Sequence, residues 1–405
     1  MYQMLKGKLD GLKKDAVDFT KRLINEQSIS LNEGKAAGLI EEEMKKLGYD
    51  KVFRDNAGNV VGIIYGRENA PSILLCSHMD TVAAANPGTW ANNPCDAQIK
   101  DGKIYGLGAA DCKGGLAAQV YAGKLLKRSL LPMNGNIVVA CTAAEENGLS
   151  MGTKFLMEET LPELMINPEF AILGEPTNLG LYYGHDGWME FNVQLESGNG
   201  FNIVDAANEA VKEINSDYSG RGPGEYDMDK PYFTDTNEGK HALIRVRNRL
   251  YNGENADKFV ERMGKRVATA IRPIGTMGIN TAIRKEKQML YTGRKASATY
   301  VTKAWSTNPF DPMIERARQA LYAAGCDVNP GRWELGKLGM GTAGGVLLNE
   351  FKVATIGYGP GREEEAHAAN EYVEINKIID AVYGTAVIVH GIAGVPVCGW
   401  TLDEI

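Results

Sequence analysis

Short apolar runs alternate with amphipathic segments along the first and last parts of the chain. The runs at residues 60–65, 72–76, 136–142, 170–173 and 353–358 have the length and β-branched content of buried strands. Segments with helical spacing of apolar residues lie at about 9–24, 33–47, 114–127, 152–159, 312–324 and 375–390. Strands that alternate with helices predict an α/β fold, with a mixed, mainly parallel sheet sandwiched by helices.

The pattern changes between residues 187 and 304. Residues 188–196 and 241–249 alternate between apolar and polar positions, as in half-exposed strands, and residues 204–214 and 257–271 have helical spacing. Because a chain of 405 residues exceeds the ~100–200 of one domain, a second domain is expected. We therefore predict one domain built from residues 1–186 and 305–405, interrupted by an inserted α+β domain of residues 187–304.

Composition narrows the possible functions. Apolar residues make up 44% and charged residues 23%, which is typical of globular proteins, and the net charge of −7 without Lys/Arg runs argues against nucleic-acid binding. The N-terminus lacks the apolar region of a signal peptide, and no stretch reaches 18 uninterrupted apolar residues. Six cysteines without any CxxC pair indicate reduced thiols. We expect a cytoplasmic protein with no membrane partner.

The first candidate chemistry follows the run at 72–76. His78 and Asp80 are two residues apart, so both side chains can point the same way where this strand ends. Ligands bind at the carboxyl edge of open α/β sheets, where Asp80 could orient His78 as a metal ligand. An incidental histidine fits this short pattern equally well.

A glycine-rich loop carries Asp111 just before a predicted helix. A helix N-cap is the plain structural explanation of such an aspartate. A dinucleotide fingerprint fails, because the string after Gly106 and Gly108 does not continue as GxGxxG. The glycines do allow a ligand to approach the backbone closely.

Further acidic residues follow two other apolar runs. Glu145 and Glu146 are adjacent and would repel each other near a core unless a cation neutralises them, although a solvated loop is the alternative. One carboxylate can then bind the metal while the other acts as general base. Glu175 follows the run at 170–173, and His367 lies in a loop with three glutamates. Two His, one Asp and two Glu are the ligand mixture of a two-zinc site.

Five strings, in this order and at these spacings, resemble one known family. They are SHMDTV, GLGAADCKGG, TAAEENG, LGEPTN and GPGREEEAHAANEYV. The resemblance is to the acetylornithine deacetylases, succinyl-diaminopimelate desuccinylases, aminoacylases and related co-catalytic zinc carboxypeptidases. It spans nearly the whole chain and is closest to a bacterial branch linked by name to selenium metabolism.

The resemblance implies a role for each motif residue. Asp111 would bridge two metal ions, His78 and Glu175 would complete one site, and Glu146 and His367 would complete the other. Glu145 would be the general base, and Asp80 would orient His78. The string RNRLYNGE is similar to a family string in the inserted domain, which makes Arg249 the candidate clamp for a substrate carboxylate.

The sequence also departs from the family. Family members carry a histidine in the inserted domain that polarises the scissile carbonyl of a neighbouring subunit, but the matching string LESGNGFNIVDAANEA has none. His241 lies on a different predicted strand. Arg247 stands where family members usually have Asp, and Leu107 stands where they usually have Arg. The loop at 339–345 lacks the acidic residue that often follows the family's glycine-rich substrate loop. The remaining oxyanion donors are His241, Arg249 and backbone amides of residues 339–345.

Together these features predict a two-metal hydrolase that cleaves an N-acyl, N-carbamoyl (ureido) or dipeptide-like bond in a small carboxylate-bearing substrate. The metals would be Zn²⁺, with Co²⁺ or Mn²⁺ as alternatives. The inserted domain would act as a lid, hinged where the chain crosses between the domains, and as the surface of a homodimer. The alternative is a non-hydrolytic binding or assembly subunit, suggested by the missing histidine and disfavoured by the retained ligands and Glu145.

Overall fold

The computed structural model describes residues 2–84, 87–147, 149–197, 202–219, 225–236, 239–326, 329–331 and 341–395. The described α-helices are α1 (Tyr2–Leu9), α2 (Lys13–Asn25), α3 (Gly34–Leu47), α4 (Gly114–Ser129), α5 (Met151–Phe155), α6 (Leu161–Glu163), α7 (Ile203–Asp217), α8 (Ala256–Ile271), α9 (Pro312–Ala323), α10 (Gly344–Asn349) and α11 (Ile375–Ala393). Wider π-helical turns cover Ala109–Lys113 and Leu156–Thr160.

The described strands run from the N-terminal to the C-terminal part of the chain. They are β1 (Lys51–Arg54), β2 (Val60–Ile64), β3 (Ser72–His78), β4 (Gln98–Lys100), β5 (Lys103–Tyr105), β6 (Ile137–Thr142), β7 (Pro168–Leu173), β8 (Gly180–Tyr182), β9 (Gly184–His185), β10 (Gly187–Ser197), β11 (Tyr226–Met228), β12 (Tyr232–Thr236), β13 (Gly239–Leu250), β14 (Gly278–Ile283), β15 (Lys285–Met289), β16 (Lys295–Thr299), β17 (Val301–Thr302), β18 (Trp305–Ser306), β19 (Asn329–Gly331), β20 (Ala354–Gly357) and β21 (Tyr372–Glu374).

An eight-stranded mixed sheet forms the centre of the main body, in the order β1-β2-β6-β3-β7-β20-β8-β19. Its middle strands β6, β3, β7 and β20 run parallel to their neighbours in this group. These strands are buried on both faces, which explains why each is a continuous apolar run in the sequence. The predicted mixed, mainly parallel sheet is confirmed.

Helices cover both faces of this sheet. The larger core cluster joins one face to helices α1–α4, α9 and α11, and a smaller cluster joins the other face to α6, α10 and the turn at Leu156–Thr160. Among the described helices, α11 alone is long and apolar enough to cross a membrane, but 72% of its apolar window is buried in the fold. Its contacts with α4 and α9 are those of a core helix.

A second, antiparallel sheet forms the lid. Its order is β11-β13-β10-β14, with β12 paired to β13 and β17 paired to β10. Helices α7 and α8 cover one face, where β10 and β13 bury every second side chain. The α+β content agrees with the predicted insertion, whose boundaries at residues 187 and 304 stay a prediction.

Residues 278–299 contain strands that the sequence pattern did not predict. Strands β15 and β16 form a hairpin whose positions are mostly exposed, so no apolar alternation marks it. We call residues 285–299 the linking hairpin. Its turn residue Leu290 is buried in a cluster with Ala57, Ala144 and Met151 of the main body. The linking hairpin therefore leaves the lid and packs on the main body.

Candidate metal centre

The five predicted metal ligands meet at one edge of the central sheet. His78 ends β3, Glu146 follows β6, and Glu175 follows β7. Because these three strands are parallel neighbours, their carboxyl ends meet at the same edge. His367 comes from the segment between β20 and β21, and Asp111 from the turn that precedes α4.

The ligand atoms form two groups that share Asp111. One group contains His78, Asp111, Cys112 and Glu175, the other contains Asp111, Glu146 and His367, and the ligand atoms within each group lie within 4.8 Å of one another. Asp111 Oδ1 is 3.1 Å from His78 Nε2, and Asp111 Oδ2 is 3.5 Å from His367 Nε2. Each oxygen of one carboxylate thus belongs to a different group.

The outer carboxylates complete each group. Glu175 Oε2 lies 3.7 Å from His78 Nε2, and Glu146 Oε2 lies 3.0 Å from His367 Nε2. Imidazole nitrogen and carboxylate oxygen at these separations suit a divalent cation such as Zn²⁺ in each group, with Asp111 between them. The donor set therefore fits two metal ions.

The charge balance of this cluster also favours bound cations. Burial raises the pKa of Glu146 and raises that of Glu175 to about 7. The Glu146 carboxylate raises the pKa of His367 to about 10, and neighbouring Cys112 and Glu175 raise that of His78 even though burial opposes them. Buried carboxylates in excess over imidazoles are costly, and cations would remove this cost.

Glu145 is buried next to Glu146, and burial raises its pKa well above the usual range. Its Oε1 accepts a hydrogen bond from Ser150 Oγ at 3.1 Å. Its place beside the cluster but outside both ligand groups suits a proton acceptor. This position is consistent with the predicted general base, whose role stays a prediction.

Asp80 contacts the site through two groups, its carboxylate and its backbone carbonyl. Its carboxylate accepts hydrogen bonds from the backbone N–H groups of Glu145 and Glu146, at 3.1 and 2.9 Å, and from Ser30 Oγ at 2.6 Å. The carboxylate stays 3.7 Å from His78 Nδ1, whereas the backbone carbonyl of Asp80 lies 2.9 Å from that nitrogen. A carbonyl only accepts, so Nδ1–H donates to it and Nε2 keeps its lone pair for a metal. The carbonyl orients His78, and the carboxylate holds the loop after β6.

Two further buried carboxylates hold backbone near the cluster, and the sequence analysis missed both. Glu371 accepts from the N–H groups of Gly108, Ala110 and Asp111 at 2.7–3.0 Å, and burial raises its pKa to about 8. Glu33 accepts from the N–H of Ala144 at 3.0 Å, and burial raises its pKa to about 7. Glu371 lies inside the last family string, but the string does not indicate which groups hydrogen-bond to it.

The predicted substrate clamp, Arg249, is already paired. Its Nη2 lies 2.6 Å from Asp186 Oδ2, and both side chains are largely buried. Arg249 pairs with Trp188 in the strand register, so it lies near the crossing between lid and main body. Its role as a clamp stays a prediction.

The structure does not bring His241 to the cluster of its own chain. His241 stands eight residues before Arg249 on β13, which separates them by about 26 Å at ~3.3 Å per residue. Its Nε2 is 3.1 Å from Thr236 Oγ1 at the far end of the lid. Of the loop at 339–345, residues 339 and 340 lie outside the described residues, and Gly341 packs against Trp188 and Thr302.

One histidine near the crossing was missed. His185 is fully buried in β9, its Nδ1 bonds the carbonyl of Asp186, and burial lowers its pKa to about 4. Because that carbonyl can only accept, Nδ1 carries the proton and the neutral ring presents an acceptor at Nε2. His185 is therefore unsuited to donate to an oxyanion.

Comparison with known proteins places these features in context. The sequence model of peptidase family M20/M25/M40 matches residues 74–390. The uncharacterised protein YgeY of Escherichia coli (strain K12) is 25% identical over 392 residues, which cover 91% of this chain and 92% of that protein.

Solved structures resemble the fold over almost the whole chain. The dipeptidase Dug1p of Saccharomyces cerevisiae has a TM-score of 0.74 at 13% identity, covering 96% of this chain and 98% of that one. The Bacillus subtilis protein YXEP, a dinuclear metal-binding peptidase, has a TM-score of 0.69 at 12% identity, with coverage of 94% and 98%. At these identities the likeness concerns the fold.

Proposed function

The chain belongs to peptidase family M20/M25/M40, and from that premise we propose that it cleaves its substrate with two divalent ions held by His78, Asp111, Glu146, Glu175 and His367. Family membership makes it a metal-dependent hydrolase of peptide or other amide-type bonds. The substrates that we propose are small N-acyl, N-carbamoyl or dipeptide-like compounds that carry a carboxylate. Dipeptide-like compounds agree with the activity of Dug1p, and two ions agree with YXEP.

One observation carries the two-metal proposal. The two oxygens of Asp111 face different histidines, His78 at 3.1 Å and His367 at 3.5 Å, and a glutamate accompanies each histidine. A structural N-cap aspartate has no reason to lie between two imidazoles. A bridging ligand between two cations requires this placement.

The bound ions and the protein residues would supply different parts of the reaction. When bound, two such ions polarise a carbonyl and lower the pKa of water to near neutrality. Glu145 removes a proton from the attacking water and later gives it to the leaving amine. Asp80 and Glu33 hold the backbone around Glu145, so its carboxylate keeps its position during both transfers.

We propose Zn²⁺ as the bound metal, with Co²⁺ and Mn²⁺ as alternatives, because imidazole and carboxylate ligands bind all three.

We also propose a cytoplasmic location. The described cysteines, which include buried Cys76, Cys112 and Cys141, carry free thiols, and this supports a reducing compartment. Cell fractionation tests the location.

We propose a homodimer formed through the lid. Strand β12 has β13 on one side, its positions are all exposed, and Tyr232 and Phe233 are 65% and 42% exposed. Exposed edge strands with apolar side chains are typical pairing surfaces. His241 pairs with Thr234 of this strand, so in such a dimer His241 would lie one strand away from the boundary between the copies.

The proposed function is tested by combining metal analysis with a substrate screen. Purified protein reconstituted with Zn²⁺ should hold two ions per chain and hydrolyse at least one N-acyl, N-carbamoyl or dipeptide substrate. Removal of the ions with a chelator should abolish turnover, and Zn²⁺ should restore it. Protein that holds no divalent ion after reconstitution would overturn the proposal.

A second function, a non-hydrolytic binding or assembly subunit, is suggested by the string LESGNGFNIVDAANEA, which has no histidine where family members carry one. Under that function the protein would hold two ions and bind an amide ligand without turnover. The same screen separates the two functions, because binding measured by calorimetry would then appear without product.

A further inference from the structure

A line of polar side chains connects the lid sheet to the linking hairpin. It begins at Glu190 on β10, whose carboxylate lies 3.3 Å from Arg247 Nε and 2.7 Å from Arg284 Nη1. The Arg284 guanidinium stacks on the ring of Tyr300 at 3.9 Å and also pairs with Glu286. Tyr300 Oη donates to Glu286 Oε2 at 2.9 Å. The lid end of the line is thus fixed by charges and by a ring contact.

The line continues to the loop that follows β6. Gln288 Nε2 donates to Tyr300 Oη at 2.9 Å, and Gln288 Oε1 accepts from Asn147 Nδ2 at 2.8 Å. Asn147 is the next residue after Glu146, a proposed metal ligand, and is two residues from Glu145. Gln288 is therefore the junction between the lid network and the proposed metal-binding loop.

The orientation of Gln288 is fixed by its partners. The Tyr300 hydroxyl already donates to Glu286, so it can only accept from Gln288. Asn147 Nδ2 is a donor, so it requires the carbonyl oxygen of Gln288. Reversing the Gln288 amide would place two donors against each other, and both hydrogen bonds would be lost.

The turn of the linking hairpin is anchored independently to the main body. Tyr291 Oη donates to the carbonyl of Gly58 at 2.6 Å, and Thr292 Oγ1 donates to that of Asn56 at 3.0 Å. Arg294 Nη1 lies 2.8 Å from Glu159 Oε2. The strand that carries Gln288 is therefore held at the lid end by Arg284 and Tyr300 and at its turn by the main body.

We propose that Gln288 is a positioning residue that, through Asn147, fixes the loop bearing Glu146 and couples it to the lid. The inference rests on the proposed function, because it takes Glu146 as a metal ligand. Groups that act behind a metal ligand typically change metal affinity by about 10–100-fold when they are lost. Loss of Gln288 should therefore weaken the ion held by Glu146 and His367 and spare the ion held by His78 and Glu175.

The test measures Zn²⁺ binding to chelator-stripped, full-length protein by calorimetry, so it needs no substrate. The variants are Gln288→Ala, Asn147→Ala and the double variant, and Glu146→Gln identifies which binding event belongs to this site. Lys287→Ala is the matched control, because Lys287 is the exposed neighbour of Gln288 on β15. Thermal unfolding of each metal-free variant is recorded in parallel.

We expect Gln288→Ala and Asn147→Ala each to weaken one of the two binding events by about tenfold or more, and Lys287→Ala to weaken neither. The double variant should be no weaker than the single ones, because both remove the same connection. Asn147→Ala changes no residue of the linking hairpin. If Gln288→Ala does not fold, Asn147→Ala alone therefore tests the proposal.

Unchanged affinity in both single variants, additive losses in the double variant, or a lower unfolding temperature without a site-selective loss would overturn the inference. These results leave the proposed function intact as long as the wild type binds two ions. A wild type that binds fewer than two ions would overturn the metal assignment and this inference together.

Discussion

The buried carboxylates around the site divide into two kinds. Glu145, Glu146 and Glu175 face the cluster, where cations would offset their charge. Asp80, Glu33 and Glu371 instead accept backbone N–H bonds from the loops that carry the cluster residues. A carboxylate that accepts several N–H groups is a strong restraint on a loop, since its charge strengthens each hydrogen bond. The loops of Glu145, Glu146 and Asp111 are thus held by acids outside the proposed ligand set.

Replacement of Glu145 separates proton transfer from metal binding. Glu145→Gln should keep both ions and lower kcat by about 10²–10⁴-fold, because an amide cannot accept the proton. Metal content by elemental analysis and turnover on a substrate found in the screen are the two measurements. Ser150→Ala is the control, since it removes only the hydrogen bond to Glu145 and should cost far less. Wild-type turnover by Glu145→Gln would remove this residue from the mechanism.

The ion pair between Arg249 and Asp186 tests the proposed carboxylate clamp. In Asp186→Asn the guanidinium loses the nearer of its two acidic partners, Asp186 and Glu225, so KM for an anionic substrate should fall about tenfold, as for one charged hydrogen bond. Arg249→Ala should raise that KM. The matching measurement uses an uncharged amide analogue of the same substrate, whose KM should change little in either variant. Equal changes for the two substrates would exclude Arg249 as the clamp.

At the scale of elements, helix α4 packs closely against the loop that carries Glu175. This contact holds together the two loops that carry Asp111 and Glu175. A Cβ on Gly115 would lie 1.7 Å from the carbonyl oxygen of Gly174, the residue before Glu175. The first turn of α4, just after Asp111, therefore touches the backbone of the Glu175 loop. A glycine at this position permits the close approach that brings Asp111 and Glu175 together.

Gly115→Ala should destabilise the protein by about 1–3 kcal/mol, because the added methyl group overpacks this contact. Gly38→Ala is the matched control in helix α3, where no atom lies within 4 Å of an added Cβ, and it should stabilise by about 0.5–1 kcal/mol. Urea unfolding measures both. A similar effect of the two substitutions would show that the contact between α4 and the Glu175 loop is not tight.

The sequence predicts those strands and helices whose buried positions produce a recognisable pattern of apolar residues. Strands β2, β3, β6, β7 and β20 are buried on both faces and were recognised as apolar runs, and α3 ends at Gly48 as expected. Strands β12 and β15 are exposed at most positions, so their residues carry no alternation, and they were missed. Length mattered as well, because the buried strands β8 and β9 span only three and two residues and were also missed.

The same limit applies to the site. Residues that must face a cation have restricted chemistry, so His78, Asp111 and Glu146 could be selected from motifs. The partners of Glu371 and Gln288 are backbone or side-chain groups far away in sequence, and many polar residues could fill those positions. Only the folded chain shows which of them do. The contacts of the Asp80 carboxylate could not be predicted for this reason, since its partners are mainly backbone N–H groups and carry no sequence signal.

At the scale of the whole molecule, the lid is joined to the main body at three places among the described residues, besides the side-chain packing of Trp188. Two are the chain crossings, where β9 pairs with β18, and the third is the linking hairpin. The expected lid closure would have to pivot about residues 284 and 300, because the hairpin turn is bound to Gly58 and Glu159. Lid movement stays a prediction, and the hairpin restricts the directions it can take.

The proposed dimer can be disrupted at one edge strand. Phe233→Lys places a charge on β12 and should convert a dimer to a monomer at micromolar concentration, because charged edges resist pairing. Sedimentation velocity gives the mass of each species. Met289→Lys is the control, since Met289 is also exposed but belongs to the linking hairpin. A wild type that is already monomeric, or a dimer that survives Phe233→Lys, would contradict pairing through β12.

The spread of the ligands along the chain has a consequence for biosynthesis. Glu146 and His367 meet although 221 positions separate them. At a ribosomal rate of ~5–20 residues per second, His367 is made about 10–45 s after Glu146. For most of that interval the nascent chain contains Glu145, Glu146 and Glu175 but not the last histidine. Until His367 has been made, the proposed site of Glu146 and His367 lacks one ligand, so we expect the hydrolase to be inactive for most of its own synthesis.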